Sequence, residues 1–428
     1  MRLVCAPKGF DFREDGSLNF NLFGRSQPST AGRSARGGGG AAALHKIRQA
    51  GLVPSPRAWD FLSIALAVIA ADTAGLRKKS ADGWTRTFEI TVAVVDPVFW
   101  TTQTKMLEAA LKFLTTDQWQ FRFVSGGMHP KPPRKSNYPL QDSVMLLSGG
   151  LDSLIGAIDL SAHKRNPLAV SQIVRGDGEK QVDFAAGTGD GLKHLPLNHT
   201  VQTPGPGDDS QRARSLIFMA FGIIAATSLR LYHDGENVDL FVCENGFIAI
   251  NAPLTGARVG SLSTRTAHPE FLNRLQGILD TAGLRVKIKN PYEHMTKGEM
   301  MSQCADQKRL RVEAPRSTSC GRFQRWNYTH CGRCIPCQIR RAAFLRWGEA
   351  DTTTYIFQKL GKEDQDHAHF DDVRSASTAA AMVKTEGLAR WIGAALSYPK
   401  MGDRVPLQDM IGRGISELAA LHASLGVK

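Results

Sequence analysis

The run Ser148-Gly149-Gly150-Leu151-Asp152-Ser153 constrains this chain more than any other. It follows residues 144–147, a short apolar stretch of the kind a strand buried on both faces of a parallel sheet requires. It opens a helical pattern over 151–163. A glycine turn between strand and helix lets the backbone approach an anion, and the free N–H groups of the helix N-terminus attract phosphate. The Ser148 and Ser153 hydroxyls can donate to pyrophosphate oxygens, and Asp152 can hold a metal or cap the backbone. Ser148, Gly149, Gly150, Leu151, Asp152 and Ser153 thus read as an ATP-pyrophosphate cradle. The Lys of the Walker pattern is missing, so γ-phosphate hydrolysis is not the expected reaction.

Apolar runs recur at 168–174, 193–197, 238–243 and 284–288, interleaved with helical patterns at 213–232, 269–282 and 296–304. This alternation predicts a doubly wound α/β domain. Upstream, strand-like runs at 2–6, 18–23, 87–95 and 120–124 alternate with helical ones at 59–75 and 104–114, which suggests a small α+β unit. Residues 25–51, rich in Gly, Ser, Arg and Ala, read as a mobile loop between strand and helix. The Pro- and Lys-rich stretch 129–135 is the best linker candidate. The organisation expected is an accessory unit at 1–128, a linker at 129–142, an ATP-binding domain at 143–347 and a helical extension at 348–428. In that extension, His367 and His369 read as solvated loop residues.

Seven cysteines make an odd count, and four of them form Cys320-x10-Cys331-x2-Cys334-x2-Cys337. Four thiolates at this spacing can wrap a tetrahedral zinc ion, and a full set of four leaves no open position for catalysis. The most apolar stretch, 61–71, is too short to span a bilayer and reads as a buried helix. The N-terminus lacks the layout of a secretory signal, so a cytoplasmic setting is expected. The formal charge of +13 is spread along the chain without a dense tract. Anionic ligands or acidic partners fit it, and nucleic acid is left open.

Together the loop and the cysteine cluster resemble the 7-cyano-7-deazaguanine synthase (QueC-type) family. Arg214-Ser215-Leu216 stands where that family has Arg-Asn-Leu, Thr296-Lys297-Gly298-Glu299 matches its Thr-Lys-x-Glu, and Cys337-x2-Arg340 matches its Cys-x2-Arg. The resemblance covers about 143–347. It implies a PP-loop fold of the HUP, adenine nucleotide alpha hydrolase-like kind, with ATP, Mg²⁺ and Zn²⁺ as cofactors. It also implies an ATP-dependent C–N ligase that adenylates a 7-deazaguanine carboxylate, releases pyrophosphate and passes the acyl group to an amine. Within that reading Asp152, Arg214 and Lys297 are the candidate catalytic residues.

The substrate side departs from the family. Ser215 replaces Asn, 175–180 replaces an Asp-Tyr-Gly-Gln, and a longer polar segment spans 244–253 and 260–269. Glu244, Asn245, Arg265 and His268 are its candidate substrate-binding residues, because ligands of open α/β sheets bind beyond the carboxyl ends of strands. The additions and the altered loop resemble the QueC-like proteins of Qat-type bacterial antiphage defence systems. That resemblance implies a small partner protein as a possible acceptor, and companion ATPase and TatD-like nuclease components. Two alternatives remain at this level, a PP-loop tRNA-modifying enzyme and a non-catalytic ATP-binding scaffold of a defence complex.

Overall fold

The computed structural model describes residues 1–12, 15–30, 34–208, 212–254, 265–361 and 370–427. Strands β1 (Arg2–Pro7), β2 (Leu18–Gly24), β3 (Gly37–Gly40), β4 (Thr87–Ala93) and β5 (Gln118–Val124) form one sheet, ordered β3-β2-β1-β4-β5. Strands β6 (Ser143–Leu146), β7 (Pro167–Gln172), β8 (His194–Leu197), β9 (Val238–Phe241) and β10 (Val286–Lys289) form a second, ordered β10-β9-β6-β7-β8. All pairings in both sheets are parallel. Counted from its own first strand, each sheet has the order 3-2-1-4-5, so one doubly wound topology occurs twice along the chain. The N-terminal mixture of strands and helices is therefore an α/β layer rather than the α+β unit its pattern suggested. Parallel neighbours need long crossovers, and the intervening helices supply them.

The helix Pro56–Ala74 joins the two sheets. Ser55 caps it, Pro56 starts it, and every residue from Ala58 to Asp72 is buried. It packs on β2, β3 and β4 and also against the helix Arg214–Ala226, which covers β6, β7 and β9. One hydrophobic core consequently runs from Leu3 through Phe61 and Phe221 to Val286. At the far end of the helix, buried Arg86 bridges Asp72 and Asp117, with an Nη2–Oδ2 distance of 2.6 Å to Asp117. Residues 129–142 contain neither helix nor strand and are pinned by Asn137 N donating to Gly51 O at 2.8 Å.

The glycine-rich segment expected to be a loop instead contributes β3, whose four glycines are all buried. Gly38 N donates to Gln202 O and Gln202 N to Gly38 O, both at 2.9 Å. A Cβ on Gly38 would lie 2.3 Å from the Arg25 carbonyl carbon, and one on Gly39 would lie 2.7 Å from Val201. Only glycine lets β3 fit between β2 and residues 199–202. Replacing Gly38 by Ala should therefore lower stability by about 1–3 kcal/mol. Gly361→Ala, where an added Cβ meets nothing within 4 Å among the described residues, should change it by less than about 0.5 kcal/mol. Denaturant midpoints of the two variants test this.

Beyond residue 369 the chain is helical, as expected: Phe370–Glu386, Leu388–Ile392 and Arg404–Ser424. These helices build a second core with Phe247, Ile248, Ile250, Ile335 and Ile339. His367 and His369 lie outside the described residues.

Candidate functional site

At the carboxyl end of β6 the chain turns through Ser148–Gly150 into the helix Leu151–Ala162. Gly149 has φ 83°, the left-handed region open to glycine. The Ser148 hydroxyl accepts from Gly150 N at 3.2 Å. The Ser153 hydroxyl accepts from Ser148 N at 3.2 Å and donates to Gly150 O at 3.0 Å. Both serines thus hold the loop in shape. Gly150, the N-cap, offers no side-chain acceptor to the first helical N–H groups, which leaves them oriented for an anion. β6 lies between β7 and β9, at the point where the strand order reverses and open α/β sheets bind ligands. Two adjoining cavities of about 220 and 340 Å³ open there and share Ser148, Gly150, Ser153, Cys243 and Glu244.

Asp152 is the hub of the smaller cavity. Lys297, N-capped by Thr296 at the start of the helix Lys297–Gln303, donates Nζ to Asp152 Oδ1. Asn245 donates Nδ2 to Oδ2 at 2.6 Å and its backbone N at 3.2 Å. Asn245 also N-caps the short helix Gly246–Ala249, its Oδ1 accepting from Ile248 N at 3.0 Å. Burial raises the Asp152 carboxyl, but the Lys297 ammonium and the hydrogen bonds outweigh it and hold the group below the usual carboxylate range. Glu244 shows the reverse: burial, then repulsion from Asp152, pushes its carboxyl well above that range. The site thus pushes two adjoining, hydrogen-bonded carboxyls in opposite directions, Asp152 down and Glu244 up.

Arg214 begins its helix half-buried and lines the larger cavity with Ser215. Burial lowers its guanidinium pKa and nearby Asp177 opposes that. Ser215 Oγ is buried without a hydrogen-bond partner among the described residues. Arg265 and His268 are not brought to either cavity. Arg265 donates to Phe113 O at 2.7 Å and stacks on Phe113. His268 is 1% exposed, caps the helix Pro269–Thr281 by accepting from Glu270 N, and sits edge-on to Phe113 and Tyr398. Burial, aided by Arg265, lowers its pKa to about 3, so it is a neutral packing residue. Among the described residues of 260–269, Thr266 faces the larger cavity.

The four cysteines converge. Their sulfurs all lie within 4.8 Å of one another, with Cys320–Cys334 at 3.8 Å and Cys331–Cys337 at 3.9 Å. A tetrahedral zinc with Zn–S near 2.3 Å sets its sulfurs about 3.8 Å apart, so the donor set fits. Backbone N–H groups of Cys334 and Cys331 point at the sulfurs of Cys331 and Cys320, at 3.2 and 3.4 Å. Gly332, at φ 86°, allows the tight knuckle, since a Cβ there would meet Phe357 O at 2.3 Å. His330 is not a fifth donor; its Nε2 accepts from Ser319 N at 3.1 Å.

The knuckle and the loop are one construction. Thr318, two residues before Cys320, donates its N–H to Gly149 O at 3.1 Å and forms a parallel bridge with Gly150. Its hydroxyl meets Asp177 and Lys180, each at 2.7 Å. Arg340, fully buried, holds the same segment through Ser317 and Ser319. Thr318, Asp177 and Lys180 are functional candidates that the motif reading missed. No spacing rule marks them, because they act by closing the loop from distant segments.

Residues 266–348 match the family described as Queuosine biosynthesis protein QueC. The chain is 27% identical over 234 residues to the 7-cyano-7-deazaguanine synthase of Methanococcus aeolicus, covering 50% of this chain and 99% of that protein. It is 28% identical over 256 residues to that of Novosphingobium aromaticivorans, 51% of this chain and 98% of that protein. Against the enzyme of Methanocaldococcus jannaschii it is 37% identical over 90 residues, 20% of this chain and 39% of that protein. No solved structure matches. The fold and site thus define a doubly wound α/β protein with a glycine phosphate-type loop braced by a four-cysteine knuckle. Its similarity is to 7-cyano-7-deazaguanine synthases, over about half its length. No helix among the described residues is long and apolar enough to cross a membrane.

Proposed function

We propose that this chain is an ATP-dependent C–N ligase that adenylates a 7-deazaguanine carboxylate, releases pyrophosphate and transfers the acyl group to an amine. The observation that carries the reading is the Ser148–Ser153 loop at the topological switch point, with buried Lys297 paired to Asp152 at its mouth. The loop N–H groups and the helix N-terminus would receive phosphate oxygens. Lys297 and Arg214 would offset charge developing on the α-phosphate and the leaving pyrophosphate. The Glu244 carboxyl, pushed up by burial and by Asp152, shares a hydrogen bond with Asp152 and braces it in the same cavity. The roughly four acceptor positions of Asp152 are taken by Lys297, by two N–H groups of Asn245 and by Glu244. Asp152 is therefore read first as the group that orients Lys297; a Mg²⁺ ligand role would displace one of these donors.

The acceptor is ammonia or an amine of a partner protein. The setting proposed is cytoplasmic, in a Qat-type antiphage system with its small partner protein, ATPase and TatD-like nuclease. Incubating the protein with ATP, Mg²⁺, 7-carboxy-7-deazaguanine and ammonia as acceptor should yield AMP and pyrophosphate in equal amounts, dependent on the carboxylate. ADP as the product, or turnover indifferent to the carboxylate, would reject the reading. Mass spectrometry of co-expressed partner proteins should then show an added deazaguanine acyl mass if the acceptor is a protein amine.

A further inference from the structure

The helix Arg404–Ser424 lies outside the matched family region, yet it touches both segments that serve Asp152. On one side, Glu417 Oε1 accepts from the Thr296 hydroxyl at 2.5 Å. Thr296 is the N-cap of the helix whose first residue is Lys297, and its capping box closes with Glu299 N to Thr296 Oγ1 at 3.1 Å and Thr296 N to Glu299 Oε2 at 2.9 Å. Arg413 secures the other half of that box, donating Nε to Glu299 Oε1 at 2.6 Å and Nη2 to His294 O at 2.9 Å. Gly298 permits this approach: a Cβ there would lie 2.8 Å from Glu417 Oε1. On the other side, Gly414 lets the ring of Phe247 close on the helix, where a Cβ would meet it at 2.5 Å, and Phe247 follows Asn245 by two residues.

We propose that this C-terminal helix sets the Lys297–Asp152–Asn245 arrangement, with Glu417 and Arg413 as positioning residues for Lys297. The inference rests on the reading of that trio as part of the nucleotide site. A capping box fixes the direction in which the first helical residue leaves the backbone. Lys297, with four rotatable carbons, reaches buried Asp152 only from a fixed start, so loosening Thr296 frees the ammonium. One helix gripping both segments also makes the site respond to whatever holds or moves the C-terminal extension.

Competitive lysine labelling of the full-length protein, read peptide by peptide by mass spectrometry, tests this without requiring turnover. In Glu417→Ala and in Arg413→Ala, labelling of Lys297 should rise by roughly fivefold or more while that of exposed Lys46 and Lys289 stays unchanged. Glu417→Gln, whose amide oxygen still accepts from Thr296, should restore protection. Calorimetric titration with ATP should show affinity falling by roughly tenfold in the two alanine variants and little in the Gln variant. Lys297 labelled no faster than in the parent protein in both alanine variants would overturn the proposal. If Glu417→Ala does not fold, Arg413→Ala carries the same test. A parent protein that protects Lys297 yet binds no ATP would defeat the nucleotide reading while leaving the positioning inference standing.

Discussion

Replacing Asp152 by Ala should lower pyrophosphate release by about 10³-fold and cost about 3–5 kcal/mol of stability. Both effects have one origin. Asp152 and Lys297 are each 5% exposed, and their ion pair is completed by two hydrogen bonds from Asn245. Deleting the carboxylate leaves the Lys297 ammonium without the partner that fixes it in a low-dielectric pocket, so its placement at the loop mouth is lost. The pairing also predicts a coupling: Asp152→Ala with Lys297→Met should cost less stability than the sum of the single changes, by about 1–3 kcal/mol. Urea denaturation of the four proteins measures it, and additive losses would show that the two groups do not depend on one another.

Loss of the metal should have the second-largest effect, and it should reach beyond the knuckle. Four buried sulfurs form the centre of a small cluster with Tyr355 and Phe357, so without zinc there is little core left to hold residues 320–337. Chelation, or Cys331→Ser, should lower the melting temperature by ~10 °C or more. Since Thr318 braces Gly149 and Gly150 from two residues before Cys320, ATP affinity should fall with it. The side-chain half of this link is tested by Thr318→Ala, which keeps the four sulfurs and the backbone bond to Gly149 but removes the hydroxyl contacts to Asp177 and Lys180: ATP affinity should drop while zinc content stays at one per chain. Unchanged ATP binding after zinc removal would separate the knuckle from the loop.

The parts of this account legible in the sequence were those whose chemistry is local. The loop and the cysteine spacing each sit within a few residues, and both fold as their spacing implied. Strand and helix patterns in 143–347 also mapped onto β6–β10 and their helices to within a few residues, because buried parallel strands are marked by continuous apolar runs. Gly37–Gly40 defeated the same logic. Four glycines carry no strand signal, and their reason for being there is the close approach of residues 25 and 201–202. Arg265 and His268 were misplaced for a related reason. A polar segment after a strand looks like a ligand loop, but Phe113 from the N-terminal layer and Tyr398 from the extension enclose both side chains. Neither contact is visible without the tertiary structure. Lys297 and Asn245 were recognised as residues but not as partners of Asp152, from which they lie 145 and 93 positions away. Glu417 had no motif at all, since it acts through the cap of another helix.

The repeated 3-2-1-4-5 topology bears on how such a chain is organised. The N-terminal sheet is joined to the loop-bearing sheet through a shared layer of two buried helices, Pro56–Ala74 and Arg214–Ala226, and Arg214 itself lines the larger cavity. The accessory layer thus packs directly on the helix that supplies a candidate catalytic cation.

Adenylation of the carboxylate is most directly tested with 7-carboxy-7-deazaguanine carrying ¹⁸O in its carboxyl group, supplied with ATP, Mg²⁺ and ammonia. Attack of a carboxylate oxygen on the α-phosphorus, followed by displacement at the acyl carbon, leaves that oxygen on the nucleotide. The account predicts one ¹⁸O in each AMP released. Unlabelled AMP, or label recovered in inorganic phosphate alongside ADP, would contradict it.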